Sequence, residues 1–295
     1  KLSFQAFGNT LVRYKWHILV IFGIYGLKSI ADRVNDSLRD SLQLDFTSVV
    51  YAIEGDTVLH IQNALLNDNL TIFLAAVYTL GFLFVANFSF ILSSYDDDRH
   101  TANKMVFVNL VLTCMSLIFF LFIPVFVTSW PAMDHSLDPG APESSGIPGM
   151  RPLLYQLRPW LTDFFSAHDT FDNCIPSLHI AIPLSMTLIL LRVHRTTRKE
   201  ERAERESHPG WRESGRCHTA YLIFIGSFTC LIALSTIYLG IHWLIDIPAG
   251  IALVPPALWL ADRYDERFFA RLNKKLDNFW DQFKSNKCGC TLKLK

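Results

Sequence analysis

The sequence predicts an all-α integral membrane protein, a polytopic helical bundle of about six transmembrane helices. Three observations predict it. First, 51% of the 295 residues are hydrophobic and only 18% are charged, against a soluble average near about 25% charged. Second, the apolar residues are gathered into long uncharged blocks instead of being spread over amphipathic helices and strands. Third, Lys and Arg are unevenly shared among the segments that join those blocks.

A bilayer core of about 30 Å needs roughly 20 apolar residues in a helix. Thr71–Ser93, Val106–Thr128, Ile175–Leu191, Ala220–Gly240 and Trp243–Ala261 meet that need. A shorter run, Trp16–Leu27, supplies a sixth span and ends at Lys28, whose stem can snorkel. The loop 195–216 carries Arg195, Arg198, Lys199, Arg202, Arg205, Arg212 and Arg216, and the tail from Arg263 onward is similarly basic. The segment from Ser129 to Cys174 holds just two basic residues, Arg151 and Arg158. Cytoplasmic loops collect Lys and Arg. Six spans therefore put both termini and the 195–216 loop inside, and the 129–174 segment on the extracellular or lumenal side.

Three regions follow: 1–103 with the N-terminal spans and an outer surface helix over Leu42–Leu66, 104–261 as a catalytic helical core, and 262–295 as a cytoplasmic amphipathic tail. In the tail Phe268, Phe269, Leu272, Leu276, Phe279, Trp280 and Phe283 recur at helical spacing. They suit either a helix lying on an anionic membrane surface or one packed on the end of the bundle. Residues 131–149 read as a loop. Net charge is zero, so no strongly basic face argues for nucleic acid as a partner. The six cysteines form no Cys-x-x-Cys pair and resemble neither a zinc site nor a disulfide framework.

Four features gather at the outer ends of the spans: Arg151 with Arg158-Pro159, Pro176-Ser177-Leu178-His179, Ser235-Thr236, and His242 with Asp246. Hydropathy and loop charge alone set the topology, yet these residues fall on one membrane face. His242 and Asp246, four apart on a helix, share a face. A carboxylate on one imidazole nitrogen fixes the tautomer and frees the other to attack phosphorus. His179 suits the general acid that protonates the departing oxygen. Arg151 and Arg158 can bind phosphate in bidentate fashion. Pro176 suits a first helical turn whose N–H groups, with the Ser177 hydroxyl, cradle the same anion. Plainer roles exist for each alone: a satisfied polar pair, headgroup-binding arginines, or Ser235 and Thr236 bonded back to helix carbonyls, the reading favoured for Thr236.

At these residues the chain resembles the type-2 phosphatidic acid phosphatase superfamily, whose motifs are Lys-x6-Arg-Pro, Pro-Ser-Gly-His and Ser-Arg-x5-His-x3-Asp. The resemblance spans about residues 104 to 260. It implies a six-helix bundle that needs no metal and no cofactor. It also implies His242 as the nucleophile that becomes phosphohistidine, His179 as the acid, Asp246 as orienting partner, and Arg151, Arg158 and Ser177 as phosphate ligands. Arg151 stands for the first-motif Lys, Leu178 for Gly, and Thr236 for the third-motif Arg, which removes one phosphate ligand. Pro-Ser-Leu-His with Ser-Thr-x-Tyr-Leu looks closer to the inositol phosphorylceramide synthase branch, which transfers a headgroup phosphate to a lipid hydroxyl. The expected partners are thus membrane lipids and a lipid phosphate or diphosphate. The expected activity is a lipid phosphatase or phosphotransferase. The competing class is a non-catalytic lipid-binding or transport protein.

Overall fold

The computed structural model describes residues 13–42, 44–95, 98–129, 151, 153–156, 173–207 and 216–288. The helices are α1 (Lys15–Leu42), α2 (Thr47–Glu54), α3 (Thr57–Leu65), α4 (Asp68–Ala76), α5 (Phe82–Tyr95), α6 (Arg99–Phe122), α7 (Leu153–Gln156), α8 (Leu178–Ser207), α9 (Arg216–Tyr238) and α10 (Asp246–Cys288). A π-helical turn, Val77–Gly81, joins α4 to α5. No strand forms among the described residues; Val125 and Asn173 make a single parallel bridge. The all-α membrane bundle is therefore as expected.

Among the described residues, four stretches are long and apolar enough to cross a membrane: Asp68–Ile91, Arg99–Phe122, Leu178–Lys199 and Thr219–Tyr238. Large apolar side chains such as Leu80, Ile118, Phe122 and Ile223 stay exposed on them, as lipid-facing positions require. The expected spans from Trp16 and Trp243 are helical but are not among the four. α1 does not stop at Leu27; it continues through Lys28 into a polar second half. α10 begins only at Asp246, because 239–245 form turns, and the charged pair Asp262-Arg263 soon follows.

Local sequence explains the boundaries. Asn67 caps α4 by accepting from the Leu70 N–H, and Asp98 caps α6 by accepting from the Thr101 N–H. α6 ends at Phe122, ahead of Pro124, which cannot donate to a continuing helix. Leu42–Leu66 is not one surface helix. It breaks at Gly55, whose φ of 57° lies in the left-handed region, and resumes as α3.

α6 sits at the centre, packed against α1, α8 and α10, while α8 also packs on α9 and α10. The apolar interior falls into three clusters. One lies at the end where α2, α3 and the 239–245 turns meet, with Val58, Leu154, Tyr238 and Trp243 fully buried. The second fills the spans. The third closes the opposite end, where Phe269 lies flat on His17 at 4.2 Å between ring centroids. Phe268 and Leu272 pack there too, so the described part of the amphipathic face is turned onto the bundle. α10 runs unbroken for 43 residues, about 65 Å, roughly twice the hydrocarbon core.

Candidate active site

Seven residues separate α9 from α10, and their path builds the site. The last turn of α9 leaves the Thr236 carbonyl open, and it accepts from the N–H groups of both Ile241 and His242. Gly240 allows the reversal: its φ is 74°, and a Cβ there would meet the Arg151 carbonyl oxygen at 2.7 Å. Trp243, fully buried, donates from its indole Nε1 to the Phe126 carbonyl oxygen at 2.8 Å and pins the turn to the segment after α6. Glu54, the last residue of α2, accepts from the Leu244 N–H at 2.8 Å and from the Ile245 N–H. A side chain nearly 190 positions away thus holds the strap that carries His242.

His242 and Asp246 do touch, with Nδ1 to Oδ2 at 2.8 Å. The cause differs from the expected shared helix face. His242 precedes the helix, and Asp246 opens it, so the turn and not an i, i+4 helical repeat brings them together. The same Oδ2 accepts from the Trp243 N–H at 2.9 Å. A carboxylate only accepts, so Nδ1 carries the imidazole proton and Nε2 presents its lone pair. That lone pair faces the Ser177 hydroxyl, which donates to it at 3.1 Å. Asp246 is fully buried and His242 is 4% exposed. In this low-dielectric setting the two N–H donors to Asp246 count for more than they would in water.

Pro176 does not open α8. The Ile175–Pro176 bond is cis, and α8 starts at Leu178, after Ser177, whose carbonyl accepts from Ile180 and Ala181. Gly250 lets α10 approach, since a Cβ there would lie 2.6 Å from the Ser177 carbonyl oxygen. The Ser177 hydroxyl, expected on phosphate, rests on the His242 nitrogen instead. His179 stands one ring away from His242, with centroids 5.7 Å apart. Tyr78 and Phe82 bracket it at 4.6 and 4.5 Å, both rings tilted to the imidazole. The π-helical turn carries Tyr78 and delivers Phe82, and such turns recur at functional sites.

Arg151 is exposed at the side chain, but its backbone is clasped. Gln62, fully buried, accepts from the Arg151 N–H at 2.8 Å and donates to the Arg151 and Tyr238 carbonyl oxygens at 2.9 Å each. Arg151 therefore abuts the strap two residues from His242, through Gly240. Arg158 and the 131–149 loop lie outside the described residues. Ser235 and Thr236 bond back to the Ile232 and Ala233 carbonyls, as favoured for Thr236. Cys174, His242 and Asp246 offer ligand atoms within 4.8 Å of one another. Two of those atoms already share a hydrogen bond, and the Cys174 thiol donates to the Ile241 carbonyl oxygen at 3.1 Å.

The arrangement so far comprises an imidazole oriented by a buried carboxylate, a second imidazole 5.7 Å away between ring centroids, and an exposed arginine whose backbone abuts the strap. Residues 147–261 match the PAP2 superfamily. That match supports a membrane protein with a phosphatase or phosphotransferase type of lipid function. No curated protein and no solved structure matches the chain. Glu54, Gln62, Tyr78 and Phe82 lie outside the matched residues and were not picked out by sequence spacing. The visible signal for them was weak: Glu54 and Gln62 are two of six acids and amides in the 42–66 stretch, and Tyr78 and Phe82 are two aromatics four apart.

Proposed function

We propose that the protein is an integral membrane enzyme that cleaves or transfers a phosphoester or diphosphate group of a lipid through a phosphohistidine at His242. The observation that carries this reading is the His242–Asp246 contact, which leaves Nε2 as the nucleophilic atom with His179 one ring away. A phosphoryl group entering the site displaces the Ser177 hydroxyl from Nε2, and that hydroxyl then donates to a phosphoryl oxygen. Nε2 attacks phosphorus, the P–O bond to the leaving group breaks, and His179 gives its proton to the departing oxygen. The new imidazolium keeps its Nδ1 proton on the Asp246 carboxylate. An acceptor hydroxyl then attacks phosphorus while His179 takes its proton, and the N–P bond breaks. Arg151 and Arg158 steady the equatorial oxygens.

Water as acceptor makes a lipid phosphatase. An alcohol makes a headgroup phosphotransferase of the inositol phosphorylceramide synthase type. One observation favours the second: the position of the third-motif arginine holds the buried, neutral Thr236. Residues 104–261 form the core of the proposed catalytic unit, completed by Glu54, Gln62, Tyr78 and Phe82. The basic residues Arg195, Arg198 and Lys199 lie on α8 well away from Ser177 along the helix, which supports an extracytoplasmic site with cytoplasmic termini.

The test is turnover of purified protein on a panel of lipid phosphates, with and without inositol or glycerol, against His242→Ala. Phosphate released by wild type alone marks the phosphatase, and a new phospholipid formed only with the alcohol marks the transferase. Activity should pass through a maximum in pH, because His242 must be neutral while His179 is protonated. Equal turnover by His242→Ala would leave the non-catalytic lipid-binding or transport reading.

A further inference from the structure

The carboxylate that orients His242 has more acceptor capacity than its surroundings use. Asp246 is fully buried, and its Oδ2 takes both donors, from His242 Nδ1 and the Trp243 N–H. Its Oδ1 is closed to bulk solvent and has no hydrogen-bond partner. Each oxygen of an ionised carboxylate can accept, so half of this one is idle. With His242 neutral, the Asp246 charge also has no counter-charge in the pair. A buried charge and a buried acceptor are both costly to leave in that state. What the pocket lacks is a cation.

A third donor group converges on it from another segment. The Cys174 N–H donates to the Val125 carbonyl oxygen at 3.2 Å, and its thiol donates to the Ile241 carbonyl oxygen at 3.1 Å. Those bonds hold the sulfur beside the strap that carries His242. Cys174 is buried and is not in a disulfide. One ligand atom each from Cys174, His242 and Asp246 lies within 4.8 Å of the others. A tetrahedral zinc ion bonds sulfur at about 2.3 Å and nitrogen or oxygen at about 2.0 Å, which sets its ligand atoms roughly 3.5 Å apart. Closing the three groups onto an ion therefore takes a shift of little more than about 1 Å. Thiolate with imidazole selects zinc and its neighbours over magnesium or calcium, which prefer oxygen.

We propose that Cys174, His242 and Asp246 form an inhibitory site for a thiophilic divalent cation such as zinc, which silences the enzyme by taking the lone pair of its nucleophile. The inhibition rests on the function proposed above, whereas the binding stands without it. On binding, the thiol proton leaves to solvent, and the thiolate and the Asp246 carboxylate balance the two charges of the ion. The buried pocket then carries no net charge. The idle Oδ1 is available as a ligand, and a fourth position stays open for water. Either ring nitrogen of His242 gives the same outcome. On Nε2 the metal occupies the attacking lone pair itself. On Nδ1 it takes the place of the ring proton, which moves to Nε2 and caps that lone pair.

The experiment compares chelator-stripped wild type, Cys174→Ser and His242→Ala in detergent. Cys174→Ser keeps a donor for the Ile241 carbonyl but supplies no thiolate; if thermal unfolding shows it misfolded, Cys174→Ala takes its place. Titration with cobalt(II) reads binding through the thiolate-to-cobalt absorption band. Turnover of a lipid phosphate under added zinc, magnesium or calcium reads inhibition, each rate taken relative to that protein's own metal-free rate. The cobalt band of wild type should fall in Cys174→Ser and weaken in His242→Ala. Zinc inhibition should reverse with chelator and require at least about 100-fold more zinc in Cys174→Ser, since losing a ligand costs no less than losing its outer-shell support. Magnesium and calcium should leave wild-type turnover unchanged. A cobalt band equal in wild type and Cys174→Ser would overturn the site, as would zinc inhibition that Cys174→Ser does not alter. His242→Ala separates the two levels. Full turnover there sinks the enzyme reading and the inhibition with it, while the cobalt band still decides the metal site. A dead His242→Ala beside wild-type turnover unmoved by zinc sinks only the present inference.

Discussion

The two ends of the bundle are held by different kinds of polar contact. At the site end the polar side chains are buried and their bonds go to backbone far away in the chain: Gln62 to Arg151 and Tyr238, Glu54 to Leu244 and Ile245, and the Trp243 indole to Phe126. At the other end the contacts join side chain to side chain: Asp262 with Lys104 and Arg192, Glu266 with His100, and the buried His17 with Asn103 at 2.6 Å. The apolar packing is comparable, with fully buried aromatics at both. What differs is the task. The far end joins helices that hold their own shape, and surface pairs add little to that. The site end must shape non-helical strap, whose N–H and C=O groups have no helix to satisfy them. Buried side chains are the substitute, and each one fixes a loop where the chemistry needs it.

The comparison can be broken or sharpened by substitution, and the largest effect should fall on Asp246. Asp246→Ala removes both the orientation of His242 and the charge facing its imidazolium, and turnover should fall roughly 10⁴-fold. Asp246→Asn can keep an oxygen on the His242 and Trp243 donors while losing only the charge, so its deficit should be smaller. Equal deficits would mean that charge, and not orientation, is the whole role of the carboxylate. Next comes Gln62→Leu, which strands the Tyr238 carbonyl and the Arg151 N–H and leaves the Arg151 carbonyl with Leu153 alone. It should cost about 3 kcal/mol in denaturant titration of the detergent-solubilised protein, with activity falling alongside. Smallest is Arg192→Ala, which opens a half-exposed pair with Asp262. Unfolding should move by less than about 0.5 kcal/mol, and turnover should match wild type. A reversal of the last two would refute the contrast between the ends.

Much of this architecture was legible because it is local. Runs of about 20 apolar residues declare spans by length, and the His242–Asp246 spacing announced a contact that is there. The reason given for it was wrong in kind. A spacing of four fits a helix, but it also fits a turn that delivers a histidine to the first residue of the next helix. Pro176 misled in the same way, since a proline that suits a first helical turn also suits the bend before it. Glu54 and Gln62 could not be read from spacing. Their partners lie tens to nearly two hundred positions off, and no periodicity records a hydrogen bond across such a loop. Gly240 and Gly250 are similar: each is a place where another segment's carbonyl comes too near for a Cβ.

The π-helical turn Val77–Gly81 is, in effect, a single surplus residue inserted into a membrane-length helix. It changes the length of the rod by only about 1.5 Å but turns everything beyond it by about 100°. Tyr78 and Phe82 face His179 across that seam, while Val85 further on is buried in the span interior. Deleting one residue between 77 and 81 would heal the helix into a regular one and leave its composition almost untouched. Its two halves would then be out of phase with their neighbours, so that the aromatic bracket and the packed face could no longer both be satisfied. The seam thus works as a phase-setter, letting one span present two faces whose angle an ordinary helix does not offer.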